Sequence, residues 1–137
     1  MDDKLLAYHG STPQRITFSA ILADVVAFLD SPEGSSETII MSILEEGQFL
    51  GSSPLFSPLV RDALFSSPSR ESLWYLENRI PTLGEARGKA VLFSRFGGHG
   101  EGWPDNKIGI HPPLWPDSSK DGFEWEMPHT RVRVHDW

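Results

Sequence analysis

The chain has 137 residues, with 12 Lys and Arg against 19 Asp and Glu, so its formal net charge is −7. This acidic balance argues against nucleic-acid binding, which needs a basic face, and the absence of cysteine excludes disulfides and thiolate metal sites. No stretch approaches the roughly 20 apolar residues of a membrane span, and residues 1–4 are not followed by the roughly 7–15 apolar residues of a signal peptide. We therefore expect one soluble domain, and the sequence leaves its compartment and oligomeric state open.

The chain begins with a predicted strand and a predicted helix. Residues 5–8 are an apolar run that predicts a strand leading to His9, and Pro13 is expected to break the chain after it. Thr17 predicts the N-cap of a helix over residues 17–29, because apolar residues follow it at helical spacing and form one apolar face.

The middle of the chain continues this alternation. Residues 38–44 are almost continuously apolar and β-branched, which is typical of a strand covered on both faces in a parallel sheet. Residues 47–57 are rich in Gly, Ser and Pro and predict a loop, whereas residues 58–65 predict a short helix that begins with Pro. A third strand is predicted over residues 90–93, and residues 73–76 are ambiguous.

The last third of the chain is predicted to be mostly loop. Residues 97–128 are rich in Gly and Pro and have no clear period, and a loop of this length in a compact domain is usually functional. Its Trp115, Phe123 and Trp125 either form a rim that touches a membrane or pack the loop onto the sheet. Residues 130–136 alternate and predict a fourth strand, so the order of elements predicts an α/β fold with parallel strands.

Four polar residues share one position in this pattern, at or just beyond the carboxyl end of a predicted strand. They are His9, Glu46, Arg95 and Asp136. In a parallel barrel the carboxyl ends of the strands converge on one mouth. Histidine suits proton transfer near neutral pH, and the guanidinium fork suits phosphate oxygens or hydroxyls, so this set predicts a site for a polyol and its phosphate.

Five short motifs in one order resemble the X region of phosphatidylinositol-specific phospholipase C, in particular its single-domain bacterial and fungal forms. The matching segments are His9-Gly10 after a strand, residues 36–42 (SETIIMS), residues 83–92 against the family's LGDARGKIVLL, residues 103–106 (WPDN) and residues 134–136 (VHD against VQD). The resemblance runs from Asp2 to Asp136 and thus covers nearly the whole chain.

The resemblance implies a fold, a reaction and a set of roles. The fold would be a distorted TIM barrel of the PLC-like phosphodiesterase type, and the reaction would be cleavage of phosphatidylinositol to diacylglycerol and cyclic inositol phosphate. His9 matches the second catalytic histidine, the general acid that protonates the leaving diacylglycerol oxygen. The resemblance implies inositol hydroxyl contacts for Glu46, Arg95 and Asp136, and places Trp103 and Asp105 near the rim of the pocket.

The resemblance also implies that residues 1–137 are an X-type domain incomplete at both ends, about the central half of the barrel. The family's first histidine, which is the general base, and its main phosphate-binding arginine would precede residue 1, and its inositol-stacking tyrosine would follow Trp137. Leu44 stands where the family often has lysine. We expect no metal site from this chain and no cofactor; calcium would require ligands from the missing part.

The expected partner is phosphatidylinositol or a related phospholipid at a membrane surface, with peripheral binding. An alternative of another class is a non-catalytic module that binds inositol phosphates or phospholipid headgroups, and a third is an inactive truncated homologue. These alternatives arise because the predicted sugar pocket is present whereas the general base is not.

Overall fold

A computed structural model of the chain describes residues 5–46, 53–116 and 120–135. In chain order these form β1 (Leu6–His9), β2 (Thr12–Thr17), α1 (Phe18–Leu29), β3 (Thr38–Leu44), α2 (Phe56–Leu64), β4 (Trp74–Tyr75), α3 (Leu83–Ala86), β5 (Lys89–Arg95), β6 (Phe123–Met127) and β7 (Thr130–Val134). Short 3-10 turns at Gly34–Ser36, Glu71–Leu73 and Pro104–Asn106 connect some of them.

The centre of the fold is a parallel sheet in the order β3-β5-β4. β3 and β5 pair in parallel along their whole length, from Thr38 opposite Lys89 to Leu44 opposite Arg95. The prediction of parallel strands at residues 38–44 and 90–93 is therefore confirmed, but the expectation that residues 38–44 are covered on both faces is wrong, because Ile40 is 69% and Leu44 46% exposed. The ambiguous residues 73–76 contain the short strand β4, which also runs parallel to β5.

β5 is buried on both of its faces, which is typical of an inner strand of a parallel sheet. Ala90 and Leu92 belong to one core cluster together with residues of α1 and α2. Val91 and the partly buried Phe93 belong to a second cluster on the opposite face, together with residues of β6 and β7. Since successive side chains of a strand point to opposite faces, one strand supports both clusters.

The two longer helices cover the first of these faces. Thr17 caps α1, and its Oγ1 accepts a hydrogen bond from the Ala20 N–H at 3.2 Å, so the predicted helix over residues 17–29 is confirmed. The buried residues of α1 and α2 fall at helical spacing and are Leu22, Val25, Val26, Leu29, Val60 and Leu64. α2 begins two residues before the Pro58 of the prediction.

The first strand differs from its prediction in how it pairs. β1 is present, but it pairs antiparallel with β2, a strand that the sequence analysis did not predict. Pro13 lies in β2 opposite Tyr8 rather than breaking the chain. A two-stranded ribbon consists of edge strands only, and an edge position tolerates a residue without an N–H.

The predicted fourth parallel strand is also wrong in its pairing. β7 pairs antiparallel with β6, which lies inside the region predicted as loop, and a two-residue turn at Pro128 and His129 joins them. The inward side chains of β6 are Phe123, Trp125 and Met127, and the outward ones are Glu124 and Glu126, which form ion pairs with arginines of β7. This alternation is typical of a hairpin with one buried face.

Beyond the short strand β4, the backbone of Ile110 pairs with the same edge of β5 and extends the sheet. The Ile110 N–H donates to the carbonyl of Leu92, and the Ser94 N–H donates to the carbonyl of Ile110. Gly109 has a φ of +81°, and a Cβ there would lie 2.4 Å from the Leu92 carbonyl oxygen, so only glycine allows this contact.

Within the described residues the strands form sheets of two, three and two strands, and no closed barrel results. The fold is thus a partial α/β arrangement. No helix in the described part of the chain has the length and apolar character that crossing a membrane requires.

Among the acidic residues that the structure describes, Glu85 is the one whose pKa the fold changes most clearly. Its carboxylate accepts hydrogen bonds from the Arg79 guanidinium and from the N–H and hydroxyl of Thr82, the N-cap of α3, and these lower the pKa of Glu85 to about 2. Because the pKa of Glu85 is lower in the folded state than in the unfolded chain, its carboxylate stabilises the folded state at pH values above the unfolded pKa. This contribution is lost as the pH falls through about 2.

We therefore expect Glu85→Gln to lower the thermal midpoint of unfolding at pH 7 and to have little effect near pH 2. The measurement is a series of thermal melts between these pH values. Glu33→Gln, at an exposed position, is the control for a general change of charge. A difference between Glu85→Gln and the wild type that is the same at both ends of the pH range would contradict this account.

Candidate functional site

The carboxyl ends of β3 and β5 lie side by side. Because Leu44 is opposite Arg95 in a parallel register, Glu45 and Glu46 leave the sheet at the same edge as the Arg95 guanidinium. The structure therefore brings together the β3 and β5 members of the predicted set. Carboxylates accept hydrogen bonds from hydroxyls, and a guanidinium donates them to phosphate or hydroxyl oxygens.

Arg95 is held by an aromatic side chain that the sequence analysis did not assign to the site. The guanidinium carbon lies 4.2 Å from the centroid of the Trp115 ring. Trp115 in turn packs edge-on against Phe93 at 6.4 Å and Phe123 at 5.1 Å between ring centroids. Such a cation–π contact is worth about 0.5–2 kcal/mol, depending on exposure, and it keeps the guanidinium on the same face of the sheet as Phe93.

The packing of these aromatic side chains decides whether they form a membrane-touching rim or pack the predicted loop onto the sheet. Trp125 is only 8% exposed and belongs to the second core cluster, against which Trp115 and Phe123 pack. These side chains therefore pack the hairpin and its connection onto the sheet.

The two glutamates after β3 differ in their surroundings. Glu45 Oε2 accepts a hydrogen bond from the Ser53 N–H at 2.7 Å, which holds this carboxylate against the start of the following segment. Glu46 is exposed to solvent. Both side chains border a cleft of about 600 Å³, which places two acidic groups at one concave surface.

His9 lies at the end of β1 and is exposed. Its neighbours Tyr8 and Gly10 line the same cleft as Glu46, so β1 approaches the β3 end of the site even though it does not belong to the parallel sheet. The structure thus associates His9 with Glu46 through a shared cleft, and not through the common barrel mouth that the sequence analysis predicts.

Trp103 occupies a core position rather than a rim. Its side chain is 4% exposed, stacks on Phe96 at 6.2 Å between ring centroids, and donates from Nε1 to the Ser57 hydroxyl at 3.0 Å. Because Phe96 directly follows Arg95, Trp103 supports the end of β5. A direct contact between Trp103 and a ligand stays a prediction.

Asp105 borders a different recess. It lies in a 3-10 turn with a φ of +50°, and its carboxylate is 3.6 Å from Lys107 Nζ. The recess around it is also lined by Glu77, Arg79 and Glu85, and it shares no wall residue with the cleft at Glu46. The structure therefore does not bring Asp105 together with Glu46, and its role in the site stays a prediction.

Asp136 lies outside the described residues. In the part of the chain that the structure describes, no cluster of three or more His, Asp or Glu side chains is arranged to hold a metal ion.

One further polar contact near the end of β5 was missed by sequence reasoning. Nδ1 of His111 lies 2.9 Å from both the hydroxyl and the carbonyl oxygen of Ser94, a residue that is fully buried. Burial prevents Ser94 from reaching a ligand, so this pair fixes the extended edge of the sheet. The residues are distant in sequence and no motif joins them.

No protein-family model matches the chain, whereas curated proteins that share one name do. The 1-phosphatidylinositol phosphodiesterases of Staphylococcus aureus strains Newman and NCTC 8325 / PS 47 are each 29% identical to it over 99 residues, which is 71% of this chain and 31% and 30% of theirs. The chain thus spans about a third of the length of these curated relatives.

Solved structures match over a larger share of the chain. A structure of S. aureus phosphatidylinositol-specific phospholipase C from work on membrane binding matches 96% of this chain and 43% of its own, with a TM-score of 0.69 and 25% identity. A second structure from such work matches 99% of this chain and 45% of its own, with a TM-score of 0.70 and 24% identity, which supports the fold alone. In sequence and in fold, the chain resembles phosphatidylinositol-specific phospholipase C.

Proposed function

We propose that the chain binds the inositol phosphate headgroup of phosphatidylinositol and takes part in the cleavage of its glycerol–phosphate bond. The observation that supports this most is the parallel register of β3 and β5, which puts Arg95 and Glu46 at one edge. In this proposal the guanidinium binds a phosphate or hydroxyl oxygen, and the carboxylate accepts hydrogen bonds from inositol hydroxyls. The Staphylococcus aureus relatives, named 1-phosphatidylinositol phosphodiesterase, point to the same substrate.

In the proposed reaction His9 is the general acid. Its imidazolium would donate a proton to the diacylglycerol oxygen as the bond to phosphorus breaks, while the inositol 2-hydroxyl attacks phosphorus and forms the cyclic phosphate. The proton of that hydroxyl would pass to a general base, a role that this proposal assigns to none of the described residues. His9 is exposed at the end of β1, so a substrate can reach it.

The first prediction concerns headgroup binding. We expect Arg95→Gln to weaken the binding of myo-inositol 1-phosphate about 10-fold or more, because a hydrogen bond to a charged group is lost, and we expect Glu46→Gln to weaken it less. Arg131→Gln and Glu126→Gln, which remove an ion pair on the outward side of the β6–β7 hairpin, are matched controls and should change the dissociation constant by less than about 2-fold. Isothermal titration calorimetry measures all five proteins. Equal affinities of the Arg95 variant and the controls would contradict the proposed site.

The second prediction concerns the acid. In the native gene product, His9→Asn should lower the rate of phosphatidylinositol cleavage about 100-fold or more and leave inositol phosphate binding nearly unchanged. His129→Asn is the matched control, since this histidine lies in the hairpin turn with a φ of 67°, a conformation that asparagine tolerates. The readout is the release of cyclic inositol phosphate from vesicles.

The intact mass of the native gene product is determined in the same preparation and compared with the 15.3 kDa of this chain. Cleavage that survives His9→Asn would overturn the role of His9. Binding without cleavage in the native product would support the alternative of a non-catalytic headgroup-binding module.

The third prediction tests Trp115 as a positioning residue. Trp115→Ala should weaken inositol phosphate binding about 2- to 5-fold, as expected for the loss of a cation–π contact of about 0.5–1 kcal/mol, and Trp115→Phe should restore most of it. A purely structural role would give equal affinity for both variants once their folded fractions are matched by circular dichroism.

A further inference from the structure

The cleft beside Glu46 is mainly apolar, and the proposed headgroup site does not use its interior. β1, α1, β3 and α2 all contribute to its walls. Its apolar lining includes Leu6, Ala7, Met41, Ile43, Phe56 and Val60. Its volume of about 600 Å³ lies within the roughly 300–1,000 Å³ of small-molecule sites.

The charged side chains of the cleft are all of one sign. Among the described residues of its wall, the carboxylates of Glu45 and Glu46 are the charged groups, and no Lys, Arg or His contributes. A phosphate or a fatty acid carboxylate inside the cleft would be repelled, since Arg95 is not among the residues of its wall and no cation there offsets the two glutamates. A hydroxyl can donate a hydrogen bond to either carboxylate, so the cleft fits an alkyl chain whose polar end is neutral and hydroxylated.

We propose that the cleft binds an acyl chain of diacylglycerol, with the glycerol hydroxyl at Glu46. This inference rests on the proposed function, because diacylglycerol is the neutral product of the proposed cleavage. Continuity of position supports it, since Glu46 belongs both to the predicted headgroup site and to the mouth of the cleft, and Tyr8 and Gly10 beside His9 line the same wall. The diacylglycerol would therefore leave the reaction site along the wall of the cleft that binds its acyl chain.

The test uses short-chain lipids as soluble probes. Dihexanoylglycerol, dibutyrylglycerol and hexanoate are titrated into the isotopically labelled chain below their aggregation concentrations, and dissociation constants are taken from the methyl resonances of Met41, Ile43 and Val60. Each buried methylene adds about 4-fold to affinity, so dihexanoylglycerol should bind at least about 10-fold more tightly than dibutyrylglycerol. Hexanoate should bind more weakly than either at pH 7, and Glu46→Gln should strengthen its binding.

Two pairs of matched variants locate the binding. Ala7→Trp fills the cleft from β1 and should weaken dihexanoylglycerol binding about 10-fold or more, whereas Ala27→Trp, on the exposed face of α1, should not change it. Leu6→Glu adds a charge to the wall at a side chain already 46% exposed, and its control is Leu114→Glu at a residue 68% exposed and outside the cleft. Because Leu6 is half exposed, this second pair keeps the test valid if Ala7→Trp does not fold.

The outcomes separate this inference from the proposed function. Loss of lipid binding in the two cleft variants with unchanged myo-inositol 1-phosphate binding supports the acyl site. Equal affinity for dihexanoylglycerol and hexanoate, tighter binding of hexyltrimethylammonium than of the diacylglycerol, or dimer formation through β3 without any lipid shift would overturn it. Failure of the proposed function shows instead as Arg95→Gln having no effect on inositol phosphate binding, which these lipid titrations do not measure.

Discussion

Burial of β5 on both faces is the constraint on which the other elements depend. Leu92 on one face contacts the cluster that α1 and α2 complete, and Val91 on the other faces the cluster that the β6–β7 hairpin completes. Neither the helices nor the hairpin can bury its apolar side without this strand. The constraint also fixes the site, because Arg95 ends β5 on the face of Val91 and Phe93 and thus meets Trp115.

The parts of the fold that the sequence predicts are those whose signal is local. The strand at residues 38–44 and the helix capped by Thr17 each carry an unbroken pattern over seven residues or more, and both are confirmed. Strand pairing cannot be predicted in the same way, because an apolar run shows that a strand exists but does not show which strand lies beside it. β1 and β7 illustrate this, because each pairs with a strand a few residues away that the expectation of parallel alternation did not include.

The site could be predicted to a similar extent and for a similar reason. Because Glu46 and Arg95 lie at the ends of predicted parallel strands, the sequence places them at one edge of the sheet. The structure agrees, since Leu44 at the end of β3 lies opposite Arg95 at the end of β5. Trp103 and Asp105 are only two residues apart in one motif, yet one is in the core and the other borders a separate recess. A short turn can direct neighbouring side chains to opposite sides, and the sequence shows their spacing without their direction.

The charged groups at the shared edge face different surroundings, and this separation bears on how a reaction could proceed there. Arg95 lies over an aromatic ring on the hairpin side, whereas Glu45 and Glu46 border the apolar cleft on the side of β1 and α2. In the two proposals the phosphate of the anionic product is attracted to Arg95, its inositol hydroxyls reach Glu46 at the shared edge, and the acyl chain of the neutral diacylglycerol fits the apolar cleft. One product of the cleavage is anionic and the other is neutral, and the two sides of the edge differ in charge in a matching way. Once the bond is broken, each product can therefore move to the side whose charge suits it.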